Sequence, residues 1–283
     1  RDCLLSRGLG DVYKRQVWAV PEGTPIFPNE PLVTVRGPVI QAQLIETMLL
    51  LILNHQSLIA TKASRIVRAA QGRPVMEFGS RRAQGADGAI YGARAAYIGG
   101  CAGTACTITD REFSVPAMGT MAHSWVQLFP SEIEAFRAYA ECYPDNCVLL
   151  VDTYNVLKSG VPNAIKVFEE LDKRGYHNGG IRIDSGDIAY LSKKARKMLD
   201  EAGFTGHKIV ASNSLDEYLI RDLLVQGATL DSFGVGERLV TSKAEPVFGG
   251  VYKLTAVEED GKIVPRIKLC LLYTSPSPRD KRQ

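Results

Sequence analysis

Short apolar runs alternate with amphipathic stretches along most of this chain. Continuous apolar runs such as Val148–Val151 are typical of strands buried on both faces, and apolar residues at helical spacing separate them. This βαβ rhythm predicts an α/β fold with a parallel sheet or barrel. The predicted strands are Val75–Phe78, Ser114–Met118, Val148–Asp152, Gly180–Asp184, Lys208–Ala211, Asp231–Val235 and Gly250–Ala256; the predicted helices include Ala89–Tyr97, Ser131–Ala140, Ala164–Arg174, Ile188–Ala202 and Leu215–Gln226.

The first quarter of the chain has a different pattern. Residues 17–40 are rich in proline, valine and glycine, which indicates short β segments joined by turns. Residues 39–70 have apolar positions at helical spacing, such as Leu44, Met48 and Leu51. We therefore predict part of an N-terminal β-rich domain with connecting helices over 17–72 and an α/β barrel domain over 73–270.

Both ends differ from the rest. Residues 1–16 and 271–283 each end in Lys-Arg-Gln, and a Cys-Leu-Leu begins at Cys3 and at Cys270. The C-terminal segment resembles translated sequencing-adapter DNA. We predict two non-native tails, to be left out of fold reasoning; natural disordered tails are the alternative.

Charge and cysteine content exclude several classes of protein. The net charge of the 283 residues is +3, but the two tails contribute all of it, which leaves no basic stripe for nucleic acid. The six cysteines form no Cys-x-x-Cys pair, so free thiols in a reducing cytoplasm are expected. The longest apolar run, Met48–Leu53, is too short to span a membrane, so we predict a cytoplasmic protein without membrane contact.

Polar residues or glycine end several of the predicted strands. The carboxyl ends of parallel strands meet at one edge of a sheet, where barrel enzymes carry their chemistry. We therefore predict one site at that edge. The strand-ending residues are Glu77, Asp152, Asp184, Ser212 and Gly234.

Two of these strand ends have residues that could bind a phosphate group. Glycines in Gly234-Val235-Gly236 let backbone N–H groups approach a phosphate, and Ser212-Asn213-Ser214 precedes a predicted helix whose N-terminus favours negative charge. Ordinary tight turns are the alternative interpretation. Upstream, Arg81 and Arg82 offer guanidinium groups for a carboxylate or phosphate, and Phe78 offers a flat face for an aromatic ring.

The segment Arg182–Asp187 supplies a cation and two carboxylates. Arg182 and Asp184 share one face of the strand, and Asp184 can hold ribose hydroxyls or, through water, magnesium. Asp187 is a weaker water-mediated metal ligand or simply the cap of the next helix. His123, beside Ser124, is the catalytic histidine candidate; the other three, His55, His177 and His207, are expected to be structural.

At these residues the sequence resembles the nicotinate phosphoribosyltransferases, over roughly residues 17–270. Four blocks in order carry the resemblance: Glu77–Gly85, Gly119–Ser124, Arg182–Asp187, and Phe233–Gly236 followed by Val251–Leu254. It implies an irregular α/β barrel of the type II phosphoribosyltransferase kind, preceded by part of a small β-rich domain. It also implies transfer of phosphoribose from phosphoribosyl pyrophosphate to nicotinate in NAD salvage, with Mg²⁺, coupled ATP hydrolysis, and a homodimer.

The resemblance also implies roles for single residues. His123 would be transiently phosphorylated by ATP, with Asp184 and Arg182 as the other catalytic residues. Nicotinate would lie among Phe78, Arg81, Thr120, Ser124 and Arg182. The phosphoribosyl pyrophosphate would contact Asp184, Ser185, Ser212, Asn213, Gly234, Gly236 and Glu237, the last of which stands where some relatives have threonine.

Two alternatives remain open. A nicotinamide-using transferase would place an aspartate to accept the amide N–H, but the matching segment, Gly103-Thr104-Ala105, has no carboxylate. A non-catalytic barrel that binds phosphorylated metabolites would keep the phosphate loops without needing His123.

Overall fold

Strands and helices alternate through most of residues 16–268, the part of the chain that the computed structural model describes. The strands are β1 Gln16–Ala19, β2 Val33–Arg36, β3 Val75–Glu77, β4 Gly103–Thr104, β5 Cys147–Leu150, β6 Gly179–Ile183, β7 Lys208–Ala211, β8 Ser232–Val235, β9 Ala256–Glu259 and β10 Lys262–Pro265. The α-helices are α1 Val39–Leu44, α2 Glu46–Ala69, α3 Ala86–Ile98, α4 Thr107–Phe113, α5 His123–Gln127, α6 Glu132–Cys142, α7 Val161–Asp172, α8 Ile188–Glu201, α9 Glu217–Val225 and α10 Glu237–Val240.

Six strands form one parallel sheet in the order β4-β3-β8-β7-β6-β5. Helices connect successive strands, as in a partial barrel, and this confirms the predicted α/β class with a parallel sheet. All six strands run in the same direction, so their carboxyl ends lie along a single edge. That edge is where the predicted site residues should meet.

The core lies between this sheet and the helices that cover it. Leu149 of β5 and Ile181 of β6 are fully buried against helix residues such as Phe168. Helix α7 shows how the sequence produces this layer, because its buried residues recur three or four positions apart and form one apolar stripe. They are Val161, Ala164, Val167, Phe168 and Leu171.

Two small antiparallel hairpins lie outside the parallel sheet. Strands β1 and β2 pair with Gln16 opposite Arg36, and β9 pairs with β10. The Nη2 atom of Arg36 lies 2.7 Å from Oε2 of Glu258, so an exposed ion pair joins the hairpins. The predicted β segments within 17–40 are thus confirmed, although Gln16, assigned above to a tail, belongs to β1. The division at residues 72 and 73 stays a prediction.

The helical stretch Val39–Ala69 is long and apolar enough to cross a membrane by length and composition alone. Core helices of soluble proteins pass the same test, so this measure is weak by itself. Toward its C-terminal end the stretch buries Ile59, Ala63 and Ile66 where α2 packs against α3 and α9. The predicted absence of membrane contact stays a prediction.

Two strand predictions were wrong. Ser114–Met118 is irregular apart from one bridge between Ala117 and Thr104, and Gly250–Ala256 is irregular up to β9. In and just before the second segment, polar groups bond to helix residues: the Phe248 N–H donates to Asn54 Oδ1 at 2.5 Å, and the Tyr252 hydroxyl donates to the Ala42 carbonyl at 2.8 Å. The short elements β4, α4 and α5 were not predicted.

The cysteines within residues 16–268 are free thiols, as expected. They are Cys101, Cys106, Cys142 and Cys147. Burial raises the pKa of Cys101 and of Cys147 to about 12, which keeps both as unreactive thiols. Cys3 and Cys270 lie outside the described residues.

His207 makes the stability of the fold depend on pH. Its ring lies 4.5 Å from the ring centre of Phe168 and 4.7 Å from that of Phe204, and only 7% of the residue is exposed. Burial, followed by the charge of Arg196, lowers the pKa of His207, while Asp172 opposes the shift. The unfolded chain therefore takes up a proton first as the pH falls below about 6.5, and stability is lost from that pH downward.

We expect thermal unfolding to report this loss. The melting temperature should fall by more degrees between pH 7.5 and pH 5.5 in the wild type than in His207→Phe, which keeps an aromatic ring and cannot titrate. Burial also lowers the pKa of His55, so the same measurement on His55→Gln shows how much of the loss comes from that second histidine. Parallel curves for the wild type and His207→Phe would show that His207 does not contribute.

Candidate active site

The predicted site residues converge at the carboxyl edge of the sheet. A continuous set of contacts runs from the Phe78 ring over Gly234 to Ser212, from Ser212 to Asp184, and on to the residues around His123. These residues follow or end β3, β8, β7 and β6, and His123 opens α5. The structure therefore brings together residues that are separated by up to about 150 positions in the sequence.

Asp152, which follows β5, is the centre of this set. Its Oδ1 lies 3.1 Å from Nε2 of His123, and its Oδ2 accepts hydrogen bonds from the Asp184 N–H at 3.0 Å and the Ser185 hydroxyl at 2.6 Å. The Asp152 side chain is 1% exposed, against 39% for His123. A buried carboxylate thus holds one ring nitrogen of a histidine whose other side reaches solvent.

Sequence reasoning named Asp152 only as a polar strand end and gave it no role. The available signal was its position directly after the buried run Val148–Val151, the same signal that marked Asp184 after β6. What the sequence could not show is the contact with His123, 29 residues earlier in the chain.

Arg182 is a half-buried cation whose side chain has few partners among the described residues. Its Nη2 donates to the Met121 carbonyl at 3.1 Å, and its buried Nε–H has no hydrogen-bond partner among the described residues. Burial lowers the pKa of Arg182, the carboxylates of Asp184 and Asp152 oppose this, and the charge of Arg81 lowers it further. Two guanidinium groups therefore act on the same region, and such a pair suits a small carboxylate or a phosphate.

The Phe78 ring lies directly over Gly234 of β8. A Cβ atom on Gly234 would stand 2.5 Å from two carbons of the Phe78 ring, and one on Gly236, which follows β8, would stand 3.2 Å from the Phe78 carbonyl oxygen. Phe78 is fixed there because its N–H donates to the Val235 carbonyl at 2.8 Å. Packing beneath the ring is thus one reason for Gly234, and the part of both glycines in phosphate binding stays a prediction.

The loop after β7 adjoins the same region. The Ser212 hydroxyl donates to Asp184 Oδ1, and Ser212 Cβ is 3.4 Å from where a Gly234 side chain would begin. The next two residues, Asn213 and Ser214, have φ angles of 85° and 48°, a left-handed conformation that favours glycine. Asp216 then caps α9 by accepting from the N–H groups of residues 218 and 219. The chain is held in a tight turn next to Asp184.

Some predicted residues have other contacts. Asp187 caps α8 by accepting from the Tyr190 N–H at 3.0 Å, so the helix-cap interpretation is confirmed. Glu237 faces cations, with Arg82 at 3.8 Å and Lys243 at 3.3 Å. The Thr120 hydroxyl donates to the neighbouring Met121 carbonyl at 3.4 Å, and Ser124 lies in the first turn of α5 beside His123.

The carboxylate of Asp184 is the group here that could face a metal, since both oxygens of Asp152 are buried and already bonded. Among residues 16–268 no group of three or more histidine, cysteine or acidic side chains is placed to hold a metal ion. Magnesium is commonly bound by one or two carboxylates together with phosphate oxygens. The donor set therefore fits magnesium that arrives with a phosphorylated substrate and does not fit a cage built by the protein alone.

Comparisons with known proteins identify a single family. Residues 74–269 match the nicotinate phosphoribosyltransferase (NAPRTase) family. Nicotinate phosphoribosyltransferase of Bacillus subtilis is 52% identical over 252 residues, which are 89% of this chain and 51% of that protein. A nicotinate phosphoribosyltransferase of Mycobacterium tuberculosis is 47% identical over 250 residues, 88% of this chain and 53% of its own. This chain thus spans about half the length of the curated relatives it matches.

Two solved structures of related enzymes have a similar fold. The crystal structure of human nicotinic acid phosphoribosyltransferase matches with a TM-score of 0.78 and 30% identity, over 90% of this chain and 59% of that one. The nicotinate-nucleotide pyrophosphorylase of Pyrococcus furiosus matches with a TM-score of 0.71 and 32% identity, over 82% and 59%. The predicted irregular barrel of the type II phosphoribosyltransferase kind is thereby confirmed.

Proposed function

Because the chain belongs to the nicotinate phosphoribosyltransferase family, we propose that the whole protein joins nicotinate to 5-phosphoribosyl 1-pyrophosphate. The products are nicotinate mononucleotide and pyrophosphate, and the step belongs to NAD salvage. The observation that carries the proposal is the half-buried Arg182 guanidinium at the carboxyl edge of the sheet, whose buried Nε–H has no partner among residues 16–268 and which has Arg81 close by. Such a pair suits the carboxylate of nicotinate.

The ring of nicotinate would lie against Phe78. The Phe78 ring is fixed over Gly234, and an aromatic face of this kind favours offset stacking with a pyridine ring. Nicotinate would then be held through its ring by Phe78 and through its carboxylate by Arg182 and Arg81. Thr120 and Ser124 would be further contacts. This positioning turns the encounter of two substrates into a reaction within one complex, which is a large part of the rate gain in such transfers.

In the transfer, the pyridine nitrogen forms a bond to C1 of the ribose while the bond from C1 to pyrophosphate breaks. Positive charge develops on the sugar, and the carboxylate of Asp184, held by Ser212, is placed to stabilise it or to hold the ribose hydroxyls. The loop 212–214 and the turn at Gly236 would hold the 5′-phosphate, with Glu237 and Ser185 at the margin. Asp184 would hold Mg²⁺, which neutralises pyrophosphate charge when it is bound.

We further propose that ATP phosphorylates His123. Asp152 is an acceptor for Nε2, so it favours the tautomer with the proton on Nε2 and leaves the lone pair of Nδ1 free. The lone pair would attack the γ-phosphorus of ATP, the bond to ADP would break, and water would later cleave the P–N bond. The added negative charge would reorder groups around α5.

Two features favour this proposal over the alternatives. Residue 105, which follows β4 at the position where an amide-using relative would need an aspartate, is an alanine and offers no carboxylate. A binding protein without catalysis has no need of the His123–Asp152 pair. The predicted homodimer stays part of the proposal, and the exposed apolar residues of α1 and α2, such as Leu44 and Leu51, are consistent with a covered surface.

The test follows nicotinate mononucleotide formation from nicotinate, phosphoribosyl pyrophosphate, magnesium and ATP. It uses the 283-residue chain and a full-length hybrid in which residues 17–270 replace the matching half of the Bacillus subtilis protein, which is 52% identical. We expect product from nicotinate and a rate at least about a hundredfold lower with nicotinamide. A hybrid that folds but makes no product would contradict the transferase function.

A further inference from the structure

Glu77 is a buried acidic residue that the chemistry above does not use. It ends β3, it is 1% exposed, and it has no ion-pair partner within residues 16–268. Its Oε1 accepts a hydrogen bond from the Gly79 N–H, and its Oε2 accepts one from the Thr104 hydroxyl at 2.6 Å. A buried carboxylate is costly unless its oxygens are well satisfied, so these two donors are what hold it in place.

A third group extends this network, because the Cys106 N–H donates to the Thr104 oxygen at 2.9 Å. Thr104 is thus an acceptor from Cys106 and a donor to Glu77. Burial raises the pKa of Glu77, and the bonds from Thr104 and Gly79 oppose that rise.

The two donors lie on two different turns of the candidate site. Gly79 directly follows Phe78 and begins the turn that carries Arg81. On this turn there is no spare room, since a Cβ on Gly79 would stand 2.6 Å from the Cβ of Val240 and 2.7 Å from Oε1 of Glu77. The Glu77 carboxylate thus packs directly against the turn that carries Phe78.

The other donor connects Glu77 to the chain that leads to His123. The Thr104 N–H donates to the Pro116 carbonyl at 3.0 Å, and the Met118 N–H donates to the Thr104 carbonyl at 2.8 Å. The Ala105 N–H donates to the Glu77 carbonyl at 2.9 Å, so the turn after β4 is tied to β3 by backbone as well as by side chain. The Glu77 side chain bonds both to Gly79, in the turn after β3, and to Thr104, at the turn after β4.

We propose that Glu77 is a positioning residue whose carboxylate holds the Phe78–Arg82 turn and the Thr104–Cys106 turn at a fixed separation, and so sets the slot that takes the pyridine ring. This inference rests on the proposed function of the site. It assigns Glu77 no contact with the substrate. Its effect passes through the position of Phe78 and Arg81.

The test compares two substitutions of Thr104 in the hybrid. Thr104→Val keeps the shape but removes both the donor to Glu77 and the acceptor for the Cys106 N–H, whereas Thr104→Ser keeps the hydroxyl that serves as both. We expect Thr104→Val to raise the KM for nicotinate about tenfold, with the KM for phosphoribosyl pyrophosphate and the phosphorylation of His123 within about twofold of wild type. Thr104→Ser should restore the nicotinate KM, and Glu77→Gln should resemble Thr104→Val.

The outcomes separate this inference from the function it rests on. Wild-type hybrid without product contradicts the transferase function itself. Active wild type with an unchanged nicotinate KM in both Thr104→Val and Glu77→Gln overturns the positioning role. A purely structural role would lower the melting temperature and the amount of active enzyme while leaving both KM values as they are, and failure of both variants to fold would likewise assign Glu77 to stability alone.

Discussion

Asp152→Asn should lower the ATP-dependent phosphorylation of His123 by about a hundredfold to ten-thousandfold, the range seen when a carboxylate that orients a catalytic histidine is replaced. The carboxylate accepts from His123 on one oxygen and from the Asp184 N–H and the Ser185 hydroxyl on the other. An asparagine can accept on only one of these sides. With its NH₂ toward His123 it imposes the wrong tautomer, and with its NH₂ toward Asp184 it places donors against donors in a buried site.

The measurement is transfer of label from γ-labelled ATP to the hybrid, with the acid lability and base stability of phosphohistidine as the identifying property. Asp187→Asn is the matched control, since Asp187 lies in the same segment but caps α8, and asparagine is also a good cap. We expect this control to stay within about twofold of wild type. Equal labelling of Asp152→Asn and wild type would show that His123 does not depend on Asp152.

The sequence could place the site because its signals are local. Asp184, Ser212 and Gly234 each end or follow a buried strand, and the carboxyl ends of parallel strands must share an edge. Arg182 could be placed on the same face as Asp184 from strand alternation alone. The structure brings these residues together as that reasoning requires.

The roles of Glu77 and Asp152 could not be predicted, although both were recognised as strand ends. Their partners, Thr104 and His123, are 27 and 29 residues away, and a hydrogen bond between them depends on how two loops approach each other. Apolar spacing carries no information on that distance. Loop approach also explains the wrong strand at Ser114–Met118, where one bridge to Thr104 replaces a ladder.

Gly234 of β8 shows a different limit of prediction from the sequence. Gly234 was interpreted through its backbone, as a residue that lets a phosphate come close. In the structure the Phe78 ring occupies the space where its side chain would be. Both uses demand the same residue, so the sequence signal is identical, and only the contact distinguishes them.

Arg182→Gln should remove most of the preference for nicotinate over nicotinamide. The guanidinium is half-buried, lies near Arg81 and makes one hydrogen bond within residues 16–268, to Met121, so it is available to a carboxylate. A charge-assisted, two-point contact in such a site strengthens binding of the acid by about a hundredfold or more, while the neutral amide gains far less from it. The KM for nicotinate should therefore rise about a hundredfold, and that for nicotinamide should change little.

Two further variants decide whether charge or geometry matters at this position. Arg182→Lys keeps the charge but loses the planar fork, so it should recover only part of the nicotinate preference. Arg137→Gln removes an arginine that pairs with Glu170 on the exposed faces of α6 and α7, and it should leave both KM values unchanged. If Arg182→Gln weakens the two substrates by the same factor, Arg182 acts on the fold or the transition state, and the carboxylate of nicotinate binds elsewhere, with Arg81 as the next residue to test.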